Sequence, residues 1–347
     1  MSSDELLWRA KALLSEGRFA EAVAVVAPVA ARAREGDDIV FAIAATLTES
    51  QALDLTGDVE LALARATWAI SAAHAPEHRE RLSAKENAWN TTMTFLLFAN
   101  AAADHEGMAL EPVLRVLDEA ERFLERIGKP EWRCGVQSER AALYMRFHRY
   151  DEAVLNDRAA LEGKRNNPSA PGHSATSIER GLAHALTHSG RLDEATEVLQ
   201  DMLSRPLKPI DALAVHTSLG QNALKRGDGA LAARSADEAR EIARGMSAGQ
   251  RMAAAGLAVD AYLAVDRVDD ARAAAEEVAR CAEELGSAHA HFAARQDGFA
   301  VALRLGDRAR AAELLDEMEG WAEKLDARSG TSTRMDAVRE RRARLLA

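Results

Sequence analysis

Apolar side chains recur at steps of three and four along most of the chain, and the pattern stops and restarts many times. In one stretch, Ile178, Leu182, Ala185 and Leu186 mark an amphipathic helix, Gly190 interrupts it, and Ala195, Val198, Leu199 and Met202 mark the next. Glycine accepts the left-handed backbone that ends a helix. Asp193 stands where it can cap the following one, and alanine lets the second helix cross close to the first. The spacing predicts a pair of antiparallel helices.

The same turn and small residue occur eight times, at Gly17/Ala22, Gly57/Ala62, Gly107/Pro112, His148/Ala153, Gly190/Ala195, Gly227/Ala232, Asp266/Ala271 and Gly306/Ala311. Successive second members lie 40, 50, 41, 42, 37, 39 and 40 residues apart, a period in the range of helical arrays. The expectation is an all-α fold, with residues 1–347 forming a single solenoid domain of about eight antiparallel helix pairs in a right-handed superhelix. The segment TSTRMDAVRERRARLLA is expected to add a closing helix. Two places break the regularity. The long step coincides with an irregular helix pair at about 76–127, where a start signal at Pro76 permits an unusually long first helix. Residues 162–176, EGKRNNPSAPGHSAT, are crowded with Pro, Gly, Asn and Ser and are expected to form a flexible loop.

Leu219-Gly220, followed by Ala223, Ala232 and Ala236, resembles the L-G-x-x-Y…A pattern of the tetratricopeptide repeat, with alanine in the aromatic place that Tyr144 and Tyr262 occupy in their own units. The units are longer than the consensus of about 34 residues. Long, alanine-rich units of this kind are similar to the sensor arms of large bacterial transcription regulators of the MalT type and to the arrays of peptide-pheromone receptors. The resemblance implies a non-catalytic adaptor or sensor that binds a peptide, a protein segment or a small acidic ligand in a concave groove lined by the first helix of each pair. Two alternatives stay open: a ligand-sensing regulatory arm of a transcription-control system, and a solenoid-fold enzyme that uses groove histidines as acid/base groups or metal ligands.

The family register, carried over residue by residue, puts Asp54 and His105 in the groove in the second and third units, and Glu139 and Arg146 in the fourth. Arg180, His184 and His188 follow in the fifth, Gln221 and Lys225 in the sixth and Asp260 in the seventh, with the fifth and sixth sets expected at the centre. Such a polar wall can satisfy a ligand backbone while small residues between receive side chains. His184 and His188, one helical turn apart, have a spacing that two imidazoles on one metal would need. No third ligand is fixed by sequence, so ordinary groove histidines, no metal and no cofactor are expected. HAPEH, residues 74–78, formally matches the zinc-protease signature H-x-x-E-H, but Pro76 is expected to open a helix and leave His74 in the preceding loop. No phosphate loop, nucleophile elbow or C-x-x-C pair appears.

Composition narrows the partners. A formal charge of -11 argues against direct nucleic-acid binding, whose affinity comes from Lys and Arg on phosphates, and favours a basic or mixed-charge peptide. Hydrophobic residues make up 48% but aromatics only 5%, which suits closely spaced helices joined by small side chains. The most apolar run, 94–103, is about half the roughly 20 residues a bilayer requires, so no membrane is expected. Cys134 and Cys281 fall in different units and are expected to be reduced thiols of a cytoplasmic protein. Alanine-rich faces and the basic last helix leave homo-oligomerisation open.

Overall fold

The turns decide where each helix ends. In the structure, a computed structural model that describes residues 1–16, 18–56, 58–83, 87–104, 109–329 and 332–346, the turn residues Gly190, Gly227 and Gly306 have φ of 80°, 74° and 72°. His148 and Asp266, which replace glycine in their units, still adopt φ of 57° and 62°. The residue after each turn donates its backbone N–H back across the helix end, as in Arg149 to the Tyr144 carbonyl at 2.8 Å and Arg191 to that of Leu186 at 2.9 Å. Gly17, Gly57 and Gly107 lie outside the described residues.

Among the described residues the chain is all helix, with no strand. The pairs are α1 (Ser3–Ser15) with α2 (Phe19–Arg34), α3 (Ile39–Thr56) with α4 (Val59–His74), and, after a short α5 (Arg79–Ser83), α6 (Ala88–Asp104) with α7 (Leu110–Arg126). Then come α8 (Arg133–Arg146) with α9 (Tyr150–Asn166), next in the chain α10 (Ala175–His188) and α11 (Leu192–Leu203), and α12 (Pro209–Arg226) with α13 (Gly229–Ala243). The last are α14 (Ala248–Ala264) with α15 (Val268–Leu285), α16 (Ala288–Arg304) with α17 (Arg308–Ser329), and a terminal α18 (Thr333–Leu346). This is an all-α solenoid of helix pairs.

Two chemistries start the second helices. Asp58, Asp228 and Asp307 accept the backbone N–H three residues on, at 3.4, 2.9 and 3.0 Å. In four others the cap is an arginine with no capping acceptor, and an acid three residues later holds its guanidinium: Arg18 with Glu21 at 2.6 Å, Arg191 with Glu194 at 2.6 Å, Arg267 with Asp270 at 2.7 Å, and Arg149 with Glu152; α7 follows neither rule and starts on Ala109. The acid also opposes the positive end of the helix dipole, which the arginine alone would aggravate. Asp193 is therefore not the cap of α11. Arg191 is, and Asp193 pairs with Arg226 of α12 at 3.0 Å.

The small residues after the turns, Ala22, Ala62, Ala153, Ala195, Ala232, Ala271 and Ala311, are sealed from solvent. In the third unit Pro112 is exposed and Val113 fills the buried place, so the register there moves by one residue. A proline is tolerated in the first turn because its missing N–H has no helical acceptor there. The long first helix expected from Pro76 does not form. Pro76–His78 is a single 3₁₀ turn, and α5 and α6 are separate helices. Polar side chains take the carbonyls at the end of α5: Asn87 Nδ2 donates to Arg81 O at 2.7 Å and Thr91 Oγ1 to Leu82 O at 3.0 Å. The loop expected at 162–176 is shorter, because α9 continues through Asn166 and α10 begins at Ala175.

The chain divides into two compact units, Met1–Ala185 and Leu186–Ala347, with the division inside α10. Unit 1 carries the aromatic core, where Phe95, Leu96, Leu117, Phe123, Val136 and Leu143 pack between α6, α7 and α8. Unit 2 is alanine-rich: Ala223, Ala232, Ala236, Ala258, Ala271 and Ala274 surround Leu257 and Tyr262. In both, the first helices of successive pairs pack on one another, α3 on α6 and α6 on α8 in unit 1, α12 on α14 and α14 on α16 in unit 2, and form the inner layer. The terminal helix α18 is anchored by Asp326, which accepts from Arg334 N at 3.0 Å and Met335 N at 2.9 Å, and it buries Val338 on the last core cluster.

A Cβ at Gly227 would meet no neighbouring atom within 4 Å. Gly227→Ala is therefore expected to lower stability by about 1–2 kcal/mol through backbone strain alone. Gly245→Ala, equally uncrowded but without a positive φ, is expected to be near neutral. Chemical denaturation of both variants checks the difference.

Candidate functional site

The inner layer of unit 1 is crossed by a polar chain. Arg146, at the end of α8, donates to the Asn100 carbonyl and to Asn100 Oδ1, both at 3.2 Å, and Asn100 Nδ2 donates to Asp54 Oδ2 at 3.1 Å. The expected groove residues Asp54 and Arg146 are thus joined through α6 by an asparagine that the register did not single out. His105 lies outside the described residues.

Further along α8, Glu139 is buried, and its carboxylate meets the imidazole of His173, Oε1 to Nε2 at 3.2 Å. His173 comes from the segment between α9 and α10. Asp157 of α9 lies near the same imidazole and is 4% exposed. In every other unit the equivalent position, four residues after the buried small residue, is apolar: Val26, Ala66, Leu117, Leu199, Ala236, Ala275 and Leu315. A carboxyl in a core position is strongly disfavoured as an anion. Burial pushes Asp157 up to about 7, against a smaller opposing pull from His173. The Glu139 carboxylate in turn holds His173 above its ordinary value.

Unit 2 offers a different arrangement. Asp260 of α14 and Asp297 of α16 stand on adjacent helices of the inner layer. Gly256, one turn before Asp260, has no side chain to fill the space, and a Cβ there would come 3.5 Å from Asp297 Oδ2. Asp260 is exposed and Asp297 half-buried; partial desolvation and then the charge of Asp260 push Asp297 up to about 7, and partial desolvation raises Asp260 as well. Among the described residues neither carboxyl has a hydrogen bond or ion pair. Asp260 was legible from the repeat register. Asp297 was not, although it occupies the same place in its unit as Glu139 does in the fourth.

The remaining predicted residues are dispersed. Arg180 and His184 belong to unit 1; His188, Gln221 and Lys225 belong to unit 2, where Gln221 and Lys225 are exposed. His184 and His188 are both exposed on α10. Among the described residues no group of three His, Cys, Asp or Glu is placed to hold a metal ion. The H-x-x-E-H match falls apart: His74 is the last residue of α4, not part of a loop, and its Nδ1 bonds the Ile70 carbonyl at 2.8 Å, while Glu77 and His78 sit in the 3₁₀ turn. Next to Gln221, the fully buried Asn222 is structural. It donates to the Leu192 carbonyl at 2.8 Å and to Thr196 Oγ1 at 2.7 Å and accepts from Thr187 Oγ1 at 3.1 Å. Cys134 and Cys281 are buried and unbridged. No helix among the described residues is long and apolar enough to cross a membrane.

No protein-family model and no curated protein matches the chain. Solved structures do. The apo form of the quorum sensor NprR from B. thuringiensis superposes with a TM-score of 0.54 at 11% identity, covering 97% of this chain and 98% of that one. A Rap protein complexed with Competence and Sporulation Factor gives 0.54 at 14% identity, covering 99% of each chain. Yeast Tom70 gives 0.63 at 13% identity over 99% of this chain, which spans 65% of that protein's chain. At these identities the likeness is one of fold, the tetratricopeptide-like solenoid.

Because folding raises Asp297 from an ordinary 3.8 to about 7, the folded state binds this proton more tightly than the unfolded one. The contribution of Asp297 to stability therefore falls as pH rises across that interval. Asp297→Asn is expected to flatten this part of the pH dependence, and Asp260→Asn to bring the Asp297 carboxyl down, read by carboxyl-carbon NMR titration. A titration of Asp297 near 4 in the unmodified chain would contradict both.

Proposed function

We propose that the chain is a non-catalytic, peptide-binding adaptor or sensor of tetratricopeptide type, and that unit 2 receives a basic side chain of the ligand between Asp260 and Asp297. The observation that carries this reading is the pair of unpartnered carboxyls on α14 and α16. Two like charges brought together on a partly desolvated wall disfavour one another, and an ammonium or guanidinium inserted between them removes that penalty while gaining charge-assisted hydrogen bonds. The exposed Gln221 and Lys225 of the same inner layer add donors and an acceptor for the ligand's backbone and acidic groups. A net charge of -11 draws basic ligands toward the chain from a distance.

The fold likeness to a quorum sensor and to a Rap protein bound to Competence and Sporulation Factor supports a sensing role. A small acidic ligand held by Lys225 in unit 2 fits less well, since nothing offsets the two carboxyls in that case; Arg180 belongs to the other unit. For a metal enzyme built on His184 and His188, no group of three His, Cys, Asp or Glu among the described residues is placed to hold the ion.

Fluorescence anisotropy with a lysine-containing peptide, compared with the same peptide carrying norleucine, tests the proposal. The lysine peptide is expected to bind more tightly, to weaken with added salt, and to lose about tenfold or more in affinity to Asp260→Asn with Asp297→Asn. Equal binding of both peptides, or full affinity in the double variant, rules the site out.

A further inference from the structure

The segment 167–174 is packed rather than projecting. Ala170 and Pro171 are buried, and Lys164 of α9, itself buried, donates its Nζ to the Ala170 carbonyl. The backbone of the segment lies directly on α8. A Cβ on Gly135 would strike the Pro171 carbonyl, and one on Gly172 (φ 93°) would come within 2.8 Å of Gly135 Cα. Only two glycines permit so close an approach. This seat delivers the His173 imidazole to Glu139 and Asp157. On the far side of Asp157, α10 presents Gly181, where a Cβ would sit 3.2 Å from Asp157 Oδ2.

Asp157 is the informative residue. It is a carboxyl at a position that is apolar in the other units, nine-tenths buried, with no hydrogen bond of its own among the described residues. Neither core packing nor helix capping accounts for it. Together with Glu139 it makes a two-carboxylate receptor for one cationic group, and the structure shows such a group in place, supplied by the chain. Ala170 and Pro171 anchor the segment, while Asn167, Pro168, Ser169, His173 and Ser174 keep contact with solvent, so the part that carries the imidazole can leave Glu139 with few apolar contacts opposing it.

We propose that Glu139 and Asp157 form a second cation-recognition site, in unit 1, and that residues 167–174 occupy it in cis, so that a lysine or arginine side chain of a partner peptide binds there by displacing His173. The proposal does not rest on the unit 2 site. Imidazole is a self-limiting competitor. His173 faces Glu139 and Arg146 of α8 and Asp157 of α9; the Glu139 carboxylate favours the protonated form of the docked imidazole, and that imidazole in turn opposes the rise that burial gives Asp157. Docking is therefore fully favoured below the ordinary histidine value and is lost as pH rises through the raised one. An ammonium or guanidinium keeps its charge throughout and displaces His173 most readily above neutrality.

The test uses the full chain carrying Asp260→Asn and Asp297→Asn, so that binding seen is not that of unit 2. The probes are N-acetyl-lysine methylamide and its uncharged analogue N-acetyl-norleucine methylamide. The lysine probe, not the norleucine probe, is expected to shift the His173 ring resonances and to speed hydrogen exchange of 167–174, corrected for intrinsic rates. His173→Ala, which removes the internal competitor, is expected to raise lysine-probe affinity by about tenfold. Asp157→Asn, nearly isosteric and checked for unchanged helix content, is expected to abolish it. Indistinguishable probes, unchanged affinity in His173→Ala, or retained binding in a folded Asp157→Asn would each overturn the proposal.

Discussion

One constraint recurs through the molecule: a residue held at positive φ, and five residues later a side chain no larger than the gap between two crossing helices. The first reverses the chain within a single residue; the second lets the returning helix lie against the one just completed. Because the constraint repeats at nearly constant spacing, first helices fall beside first helices and build an inner layer. His148 and Asp266 show how firmly position outranks residue type, since each takes the left-handed conformation that glycine takes elsewhere. Val113 shows the same from the other side, filling the buried place in a unit whose register slips by one.

An inner layer built this way collects polar residues, and the chain disposes of their charge in three ways. Asp54, Asn100 and Arg146 neutralise one another in a chain of hydrogen bonds. Glu139, together with Asp157 of the second helix α9, is answered by His173 from a loop. Asp260 and Asp297 have no answer among the described residues. The first arrangement is structural. Each of the other two holds one carboxyl, Asp157 or Asp297, above its ordinary range, which ties occupancy of these places to pH and to any cation that reaches them.

The architecture was legible in the sequence because it is periodic: turn residues, buried alanines and the number of helix pairs follow from a spacing that any one unit repeats. What escaped was aperiodic. A cap at Asp193 is plausible by residue type, but Arg191 with Glu194 does that work through an ion pair, a pattern visible only when R-x-x-[DE] is compared across units. The long helix from Pro76 did not form: Pro76–His78 is a 3₁₀ turn, and Asn87 and Thr91 place side-chain donors on the carbonyls of Arg81 and Leu82. Asp157 could have been found by aligning the second helices, where it stands alone among Val, Ala and Leu. The nearness of Asp297 to Asp260, or of His173 to Glu139, depends on which helices and loops come to lie together.

The central claim, that Asp260 and Asp297 on the inner layer of unit 2, with Asp297 raised to about 7, are the receptor for a basic group, is tested most directly by calorimetry of lysine-peptide binding near pH 7 in buffers of different ionisation enthalpy. Insertion of a cation must expel the proton that Asp297 holds, so the observed enthalpy should vary with the buffer, report net proton release, and lose that variation in Asp297→Asn. Binding whose enthalpy is the same in every buffer would contradict the account.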